Sequence, residues 1–407
     1  MGNNSVWVIG AALVAAVGMV ASQAETVKRG PARDVALLGA PAALTPKQQL
    51  GQLLFEDTSL SNPPGQACAS CHASGAGFTD PDRNAPTSKG VRAGLFGDRN
   101  TPAAAYMAFS PRFHFNEAEQ HFVGGQFWDG RAATLEDQAR GPFLNPVEMA
   151  NSSPAQVIDK VRAAASAPLF RQVFGADALA DADKAFALVA EAIAAFERTP
   201  AFSPFSSKYD AYLAGRTRLT PQEQRGLKLF EREDKGNCAA CHPVARRPDG
   251  RGGLGTDFTY DNLGVPKNPA NPFYRLPEAY NPAGRGYVDR GLGGVVGRAA
   301  DYGKFKVPTV RNVELSAPYM HNGYFASLRA VVDFYNTRDV KPRCADELVA
   351  EAEALARGCW PRPEMVANVN NDELGNLRLT PREVDDIVAF MLTLTDGWRG
   401  PQHAAGR

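Results

Sequence analysis

The chain has 407 residues, 44% of them hydrophobic, and its 44 Lys and Arg balance 44 Asp and Glu, so its formal net charge is zero. This length and composition provide enough apolar residues for two domains of ordinary size. A neutral chain lacks the basic excess typical of nucleic-acid-binding proteins, and no nucleic-acid partner is expected. Six Cys are too few to form a disulfide framework that replaces a hydrophobic core.

The first segment of the chain has the pattern of an export signal. Residues 6–21 are mostly small and apolar, and residues 22–24 (SQA) follow as a small-x-small cleavage pattern. Sixteen residues are few for a membrane span, although no Lys or Arg precedes the apolar segment. We predict that residues 1–24 are a cleaved signal peptide, with an uncleaved anchor as the alternative.

A repeated segment indicates two similar halves. Residues 44–56 (LTPKQQLGQLLFE) and 219–231 (LTPQEQRGLKLFE) are identical at eight of thirteen positions, and each predicts a helix with a Thr N-cap, an initial Pro and a capping box. Residues 379–383 predict another helix of this kind, and residues 185–198 predict a buried helix. Strand signals are scarce, so the predicted fold class is all-α.

The domain boundary is predicted where the sequence breaks between the halves. Residues 199–204 (TPAFSP) interrupt the helical pattern, which gives an N-terminal domain of residues 25–203 and a C-terminal domain of residues 204–407. Residues 245–305 are rich in Gly, Pro and Asp, and we expect them to form a long ordered loop.

The pattern Cys-x-x-Cys-His occurs once after each repeated segment. The six residues are Cys68, Cys71 and His72, then Cys238, Cys241 and His242. In c-type cytochromes the two thiols bind the vinyl groups of one haem and the imidazole binds its iron. A zinc ribbon would place its second Cys pair about 15–20 residues on, and a redox dithiol would need a βαβ setting. We therefore predict two covalently bound haem c groups, in two cytochrome c-like domains in tandem with long ordered loops. Because such haems are attached outside the bacterial cytoplasm, we expect a periplasmic protein.

The two remaining Cys lie in a loop-like setting. Cys344 follows Pro342, and Cys359 lies between Gly358 and Pro361. An even remaining pair in an exported protein predicts one disulfide, with two free buried thiols as the alternative.

Residues 125–149 are the densest polar stretch on an apolar background, and they include Trp128, Gln138 and Glu148. Taken singly, each has an ordinary structural interpretation, such as a core aromatic or a solvated carboxylate. A haem that cleaves peroxide, however, needs an acid–base group and a hydrogen-bond donor near the bound peroxide.

Residues 127–149 (FWDGRAATLEDQARGPFLNPVEM), the two haem motifs and residues 317–335 (APYMHNGYFASLRAVVDFY) resemble the bacterial di-haem cytochrome c peroxidase family, in particular its MauG-like branch. The resemblance implies that Glu148 is the distal acid–base group beside Gln138, that Pro142 shapes the pocket and that Trp128 relays electrons between the haems. It also implies one calcium ion, bound by the Asn100 side chain and by the carbonyl oxygens of Ser316 and Pro318.

The first haem, held by His72, is expected to accept peroxide without prior reduction. Many family members close this haem with a His in the loop that corresponds to residues 87–100, and this loop contains no His here. His114 and His121 lie after the loop as alternative ligands, and we expect each to have a surface or structural role.

Tyr335 is the predicted sixth ligand of the second haem, which is held by His242. Its spacing from Leu328 and Val332 places it on the inward face of a helix, whether for packing or as a ligand. The resemblance implies a Met ligand at this position in the classical peroxidases and a Tyr ligand in MauG-like proteins. A phenolate favours the more oxidised iron. Met320 is the alternative ligand.

The predicted function is that of an exported di-haem peroxidase, which reduces hydrogen peroxide with electrons from a small c-type cytochrome or cupredoxin. One alternative is a MauG-like enzyme that oxidises residues of a partner protein, although Gly236 stands where MauG has an electron-transferring surface Trp. A second alternative is a non-catalytic electron-transfer cytochrome with two six-coordinate haems.

Overall fold

The computed structural model describes residues 43–400, so the predicted signal peptide lies outside the described residues. Helices dominate this part of the chain. They are α1 (Pro46–Glu56), α2 (Cys68–Cys71), α3 (Leu135–Leu144), α4 (Pro154–Ala163), α5 (Ala167–Phe174), α6 (Ala182–Glu197), α7 (Lys208–Leu213), α8 (Pro221–Glu231), α9 (Gly291–Val296), α10 (Leu328–Thr337), α11 (Glu351–Arg357) and α12 (Pro381–Leu392). Between residues 43 and 400, no helix is long and apolar enough to cross a membrane.

Sheet structure is limited to two small antiparallel pairs. Strand β1 (His114–Asn116) pairs with β2 (His121–Val123), and β3 (Tyr260–Asp261) pairs with β4 (Phe305–Lys306). The predicted helix-dominated fold is thus confirmed. Its division into two tandem haem domains, with a boundary at residue 203, stays a prediction.

The predicted capping boxes explain where three helices begin. Thr45, Thr220 and Thr380 each accept a hydrogen bond from the backbone N–H three residues on, and the side chain there bonds back to the Thr backbone. Each box satisfies two N–H groups that would otherwise lack a partner at the helix start. The predicted buried helix at 185–198 is also present, as α6.

The repeated segment contains a glycine at which two helices cross closely. Helix α1 packs on α6, and α8 packs on α12. A Cβ on Gly51 would lie 1.9 Å from the carbonyl oxygen of Ala192, and one on Gly226 would lie 1.8 Å from that of Asp386. Only glycine therefore allows these backbones to approach so closely, and both halves of the repeat use it in the same way.

Two hydrophobic cores lie beside the two haem motifs. The first is built from residues between 50 and 202, and Cys68 packs against it. The second is built from residues between 209 and 394, and Cys238 packs against that one. Each motif is therefore held against its own core.

The long segment 245–305 largely follows the expected irregular course, but it also contains β3, α9 and the first residue of β4. Further along the chain, Cys344 and Cys359 form a disulfide, which confirms the predicted pairing.

Candidate haem sites and the residues between them

The first haem motif forms a short helical turn that directs its imidazole inward. Cys68–Cys71 is α2, and the backbone N–H of His72 donates to the carbonyl oxygen of Cys68 at 2.9 Å. Nδ1 of His72 lies 3.0 Å from the carbonyl oxygen of Phe78, which can only accept, so Nδ1 carries the proton. Burial lowers the pKa of His72, which keeps the ring neutral and leaves the Nε2 lone pair free for a metal.

The second motif repeats this geometry. The N–H of His242 donates to the carbonyl oxygen of Cys238 at 2.8 Å, and Nδ1 of His242 lies 2.9 Å from that of Gly255. Burial lowers the pKa of His242 as well. The four motif Cys form no disulfide. Unpaired thiols beside an oriented neutral imidazole fit covalent attachment and iron ligation of a haem c at both motifs.

The first cavity is the one lined by Cys68 and His72. Glu148, Gln138 and Pro142 are the three residues predicted to surround the peroxide that binds there. Gln138 and Pro142, both on α3, line this cavity. Glu148 is not among its lining residues within the described part of the chain. The structure therefore places Gln138 and Pro142 at the cavity and Glu148 outside its lining.

Glu148 lies just after α3 and packs against the loop of residues 87–100. The N–H of Val91 donates to the carbonyl oxygen of Glu148 at 2.9 Å. A Cβ on Gly90 would lie 2.3 Å from the carbonyl oxygen of Val147, so the loop approaches closely here. Burial raises the pKa of Glu148 to about 7; nearby Arg131 opposes this shift. Such a pKa suits a group that both accepts and donates a proton near neutral pH.

Trp128 lines both the first cavity and the second cavity, which is the one lined by Cys238, Cys241 and His242. Its indole Nε1–H donates to the carbonyl oxygen of Asn100 at 2.8 Å. Its neighbour Asp129 is buried and bound by Arg99 at 2.6 Å and by Arg131 at 2.9 Å. The indole is thus fixed at the wall shared by the two cavities by its bond to Asn100, and the following residue is fixed by two arginines.

Both candidates for the sixth ligand of the second haem line the second cavity. Helix α10 brings Tyr335 there, and burial raises the pKa of its phenol well above the ordinary value. Met320 lies in a turn with a φ of +72°, closed by a hydrogen bond of 3.1 Å from the N–H of Gly323 to its carbonyl oxygen. Tyr335 stays the predicted ligand and Met320 the alternative.

The three predicted calcium ligands, Asn100, Ser316 and Pro318, all line the second cavity. Residues 43–400 contain no group of three or more His, Cys, Asp or Glu side chains that could hold a metal ion. The predicted site uses an amide and two backbone carbonyl oxygens instead, so the calcium ion stays a prediction.

His114 and His121 belong to the β1–β2 hairpin. His114 is exposed, and Nε2 of His121 lies 3.1 Å from a carboxylate oxygen of Glu119. Among the described residues, neither is part of the lining of the two cavities. These positions agree with the surface or structural roles expected for both.

Two buried ionisable residues at the cavities were missed by sequence analysis. Glu197 lines the first cavity, and burial raises its pKa to about 8. Lys306 lines both cavities, and burial lowers its pKa to about 7. Glu197 ends a predicted helix and Lys306 lies in a short strand, positions at which most charged side chains are exposed.

Comparison with known proteins places the chain in a family. A family model described as di-haem cytochrome c peroxidase matches residues 45–218. The methylamine utilization protein MauG of Paracoccus denitrificans is 39% identical over 355 residues, which are 85% of this chain and 88% of that protein. The cytochrome c551 peroxidase of Nitrosomonas europaea is 35% identical over 301 residues, which are 72% of this chain and 74% of that protein.

A solved structure of the diheme peroxidase BthA from Burkholderia thailandensis superimposes with a TM-score of 0.72, at 35% identity and with 87% of each chain covered. Membership in a di-haem family implies two haem c groups, which the two motifs fit. The chain therefore belongs to the di-haem cytochrome c peroxidase family and is a peroxidase-like oxidoreductase.

Proposed function

We propose that this protein is an exported, periplasmic di-haem peroxidase that reduces hydrogen peroxide to water with electrons from a small c-type cytochrome or cupredoxin. The observation that carries the proposal is the pair of half-buried Cys-x-x-Cys-His motifs, each at a cavity, with Trp128 in the wall of both. Export rests on the apolar segment and cleavage pattern of residues 1–24.

Proton transfer is assigned to the residues around the first cavity. When bound, the first haem supplies the iron at which the O–O bond of peroxide is cleaved. Glu148 accepts the proton from the near oxygen of peroxide and returns it to the leaving oxygen, for which its pKa near 7 is suited. Gln138, in the cavity wall, donates a hydrogen bond to the peroxide.

Electron transfer is assigned to the residues that join the two cavities. Trp128 lines both cavities, so its indole would carry electrons between a haem held by His242 and a haem held by His72. Tyr335 and His242 would both hold the iron of the second haem, and Asn100, Ser316 and Pro318, which line the same cavity, would hold a calcium ion. The donor protein would deliver its electrons to the haem held by His242.

A MauG-like activity on a partner protein is the second candidate function. It is favoured by the 39% identity to MauG and by Tyr335 on the cavity-facing side of α10. Gly236, where MauG has a surface Trp, is buried, and a Cβ there would lie 2.3 Å from the carbonyl oxygen of Leu229. The local packing therefore has no room for that Trp. A non-catalytic cytochrome is set aside, because the chain belongs to a peroxidase family.

The test is steady-state turnover of the as-isolated ferric protein with peroxide and a panel of reduced c-type cytochromes and cupredoxins. We expect peroxide-dependent oxidation of at least one donor, without prior reduction of the enzyme, because loop 87–100 contains no His. Rapid reaction with peroxide but no oxidation of any donor would favour the MauG-like function. A requirement for prior reduction would show that another residue closes the first haem.

A further inference from the structure

Lys306 is a buried cation next to the inter-haem Trp128. Lys306 is the second residue of β4, and only 5% of its surface is exposed. Its backbone N–H donates to the carbonyl oxygen of Trp128 at 2.7 Å. Its Nζ donates to the carbonyl oxygen of Gly125 at 2.6 Å and lies 3.9 Å from the Sδ of Met107. The ammonium group is thus fixed by Gly125, and the backbone of Lys306 is bonded to that of the tryptophan.

The protein contacts of this ammonium group do not neutralise it. An ammonium group has three donors, and Lys306 directs one to a strong acceptor, whereas a thioether is a weak one. Asp129 is the carboxylate that attracts it, but both of its oxygens already accept from arginines. None of the ion pairs formed between residues 43 and 400 includes Lys306. A buried charge without a counter-ion is strongly unfavourable, and burial accordingly lowers the pKa of Lys306 to about 7. An anion beside Nζ would stabilise its ammonium form.

The position of Lys306 indicates which anion it meets. Lys306 lines both cavities, each of which would hold one haem. Every haem carries two propionate carboxylates. The Nζ contacts Met107, which lines the first cavity but not the second in the described part of the chain. We propose that Lys306 binds a propionate of the first haem and supplies its counter-charge, as a positioning residue at the junction of the two cavities.

A positive charge beside the first haem changes the midpoint potential of its iron. Ferric haem carries one more positive charge than ferrous haem, so the ammonium group of Lys306 disfavours the ferric form and raises the midpoint potential of the first haem. Loss of that charge therefore lowers the potential at which the first haem accepts an electron. The inference rests on the proposed two-haem assignment, not on peroxide turnover.

The experiment is a spectroelectrochemical titration of the full-length protein with both haems bound. Lys306→Met, which removes the charge and keeps the volume, should lower the midpoint potential of the first haem, and Lys306→Arg should leave it near the wild-type value. Lys304→Met is the matched control. Lys304 lies two residues away, pairs with Asp301 at 3.0 Å and does not line the cavities of the described structure, so both potentials should stay unchanged.

Three results would overturn the inference. The first is an unchanged potential of the first haem in Lys306→Met, and the second is a shift confined to the second haem. The third is equal loss of the first haem in Lys306→Met and Lys306→Arg, which would show that the side chain acts through its packing and not through its charge. Resonance Raman spectra of the propionate bending modes provide a second measurement, in which Lys306→Met should differ from wild type and Lys304→Met should not. A shifted potential in a protein without peroxidase activity would contradict the proposed function alone.

Discussion

Replacing Glu148 by Gln tests the acid–base chemistry at the first haem. The amide keeps the size and shape of the side chain but cannot act as an acid or a base near neutral pH. We expect both haems to be retained and the second-order rate constant for the reaction with peroxide to fall roughly 10²–10⁴-fold, the range for loss of a general acid–base group.

The pKa of Glu148 gives the expected pH dependence of the wild-type reaction. Burial raises this pKa to about 7, and the ionised carboxylate is the form that accepts the proton of peroxide. About half of the side chain is ionised at pH 7 and about one-tenth at pH 6, so the rate constant should fall about tenfold per pH unit on the acid side. Above pH 8 it should be nearly constant, because ionisation is then almost complete.

Stopped-flow mixing of the ferric protein with peroxide between about pH 5.5 and 9 measures both effects. The matched control is Glu136→Gln. Glu136 lies on α3 near the same cavity, pairs with Arg198 at 2.7 Å and is not part of the described cavity lining. This variant should keep the wild-type rate constant and profile. An unchanged rate constant in Glu148→Gln, or a wild-type inflection near pH 7 that survives the substitution, would remove Glu148 from the mechanism.

Two further predictions concern the second haem and the helix crossings. Tyr335→Met should raise the midpoint potential of the second haem, because a thioether favours ferrous iron and a phenolate favours ferric iron; an unchanged potential and spectrum would make Met320 the ligand. Gly226→Ala should lower the free energy of unfolding by about 1–3 kcal/mol, because the new Cβ would meet the carbonyl oxygen of Asp386 at 1.8 Å. Gly286→Ala is its control in urea unfolding and should stay within about 0.5 kcal/mol, since its Cβ would meet no described atom within 4 Å; equal losses in both variants would contradict the close-crossing argument.

The sequence by itself determined the features that depend on neighbouring residues. Thr45, Thr220 and Thr380 begin helices because a capping box needs only four consecutive residues. The two haem motifs were equally predictable, because two thiols and an imidazole within five residues define their own chemistry. The Cys344–Cys359 disulfide followed from counting the Cys that the motifs leave over.

Only the tertiary structure decided which charges are buried and which glycines are contacts between helices. Lys306 and Glu197 look like ordinary surface charges in the sequence, and Glu148 was singled out by the family resemblance alone. The pKa values of all three shift because residues far along the chain exclude water from them. In the sequence, Gly51 and Gly226 are residues of low helix propensity inside helices. Only the packing of α6 and α12 shows that these positions have no room for a side chain. Local hydrogen-bonding rules extend over three or four residues, whereas burial depends on segments that meet only in the folded chain, so the electrostatics around Trp128 could not be predicted from the sequence.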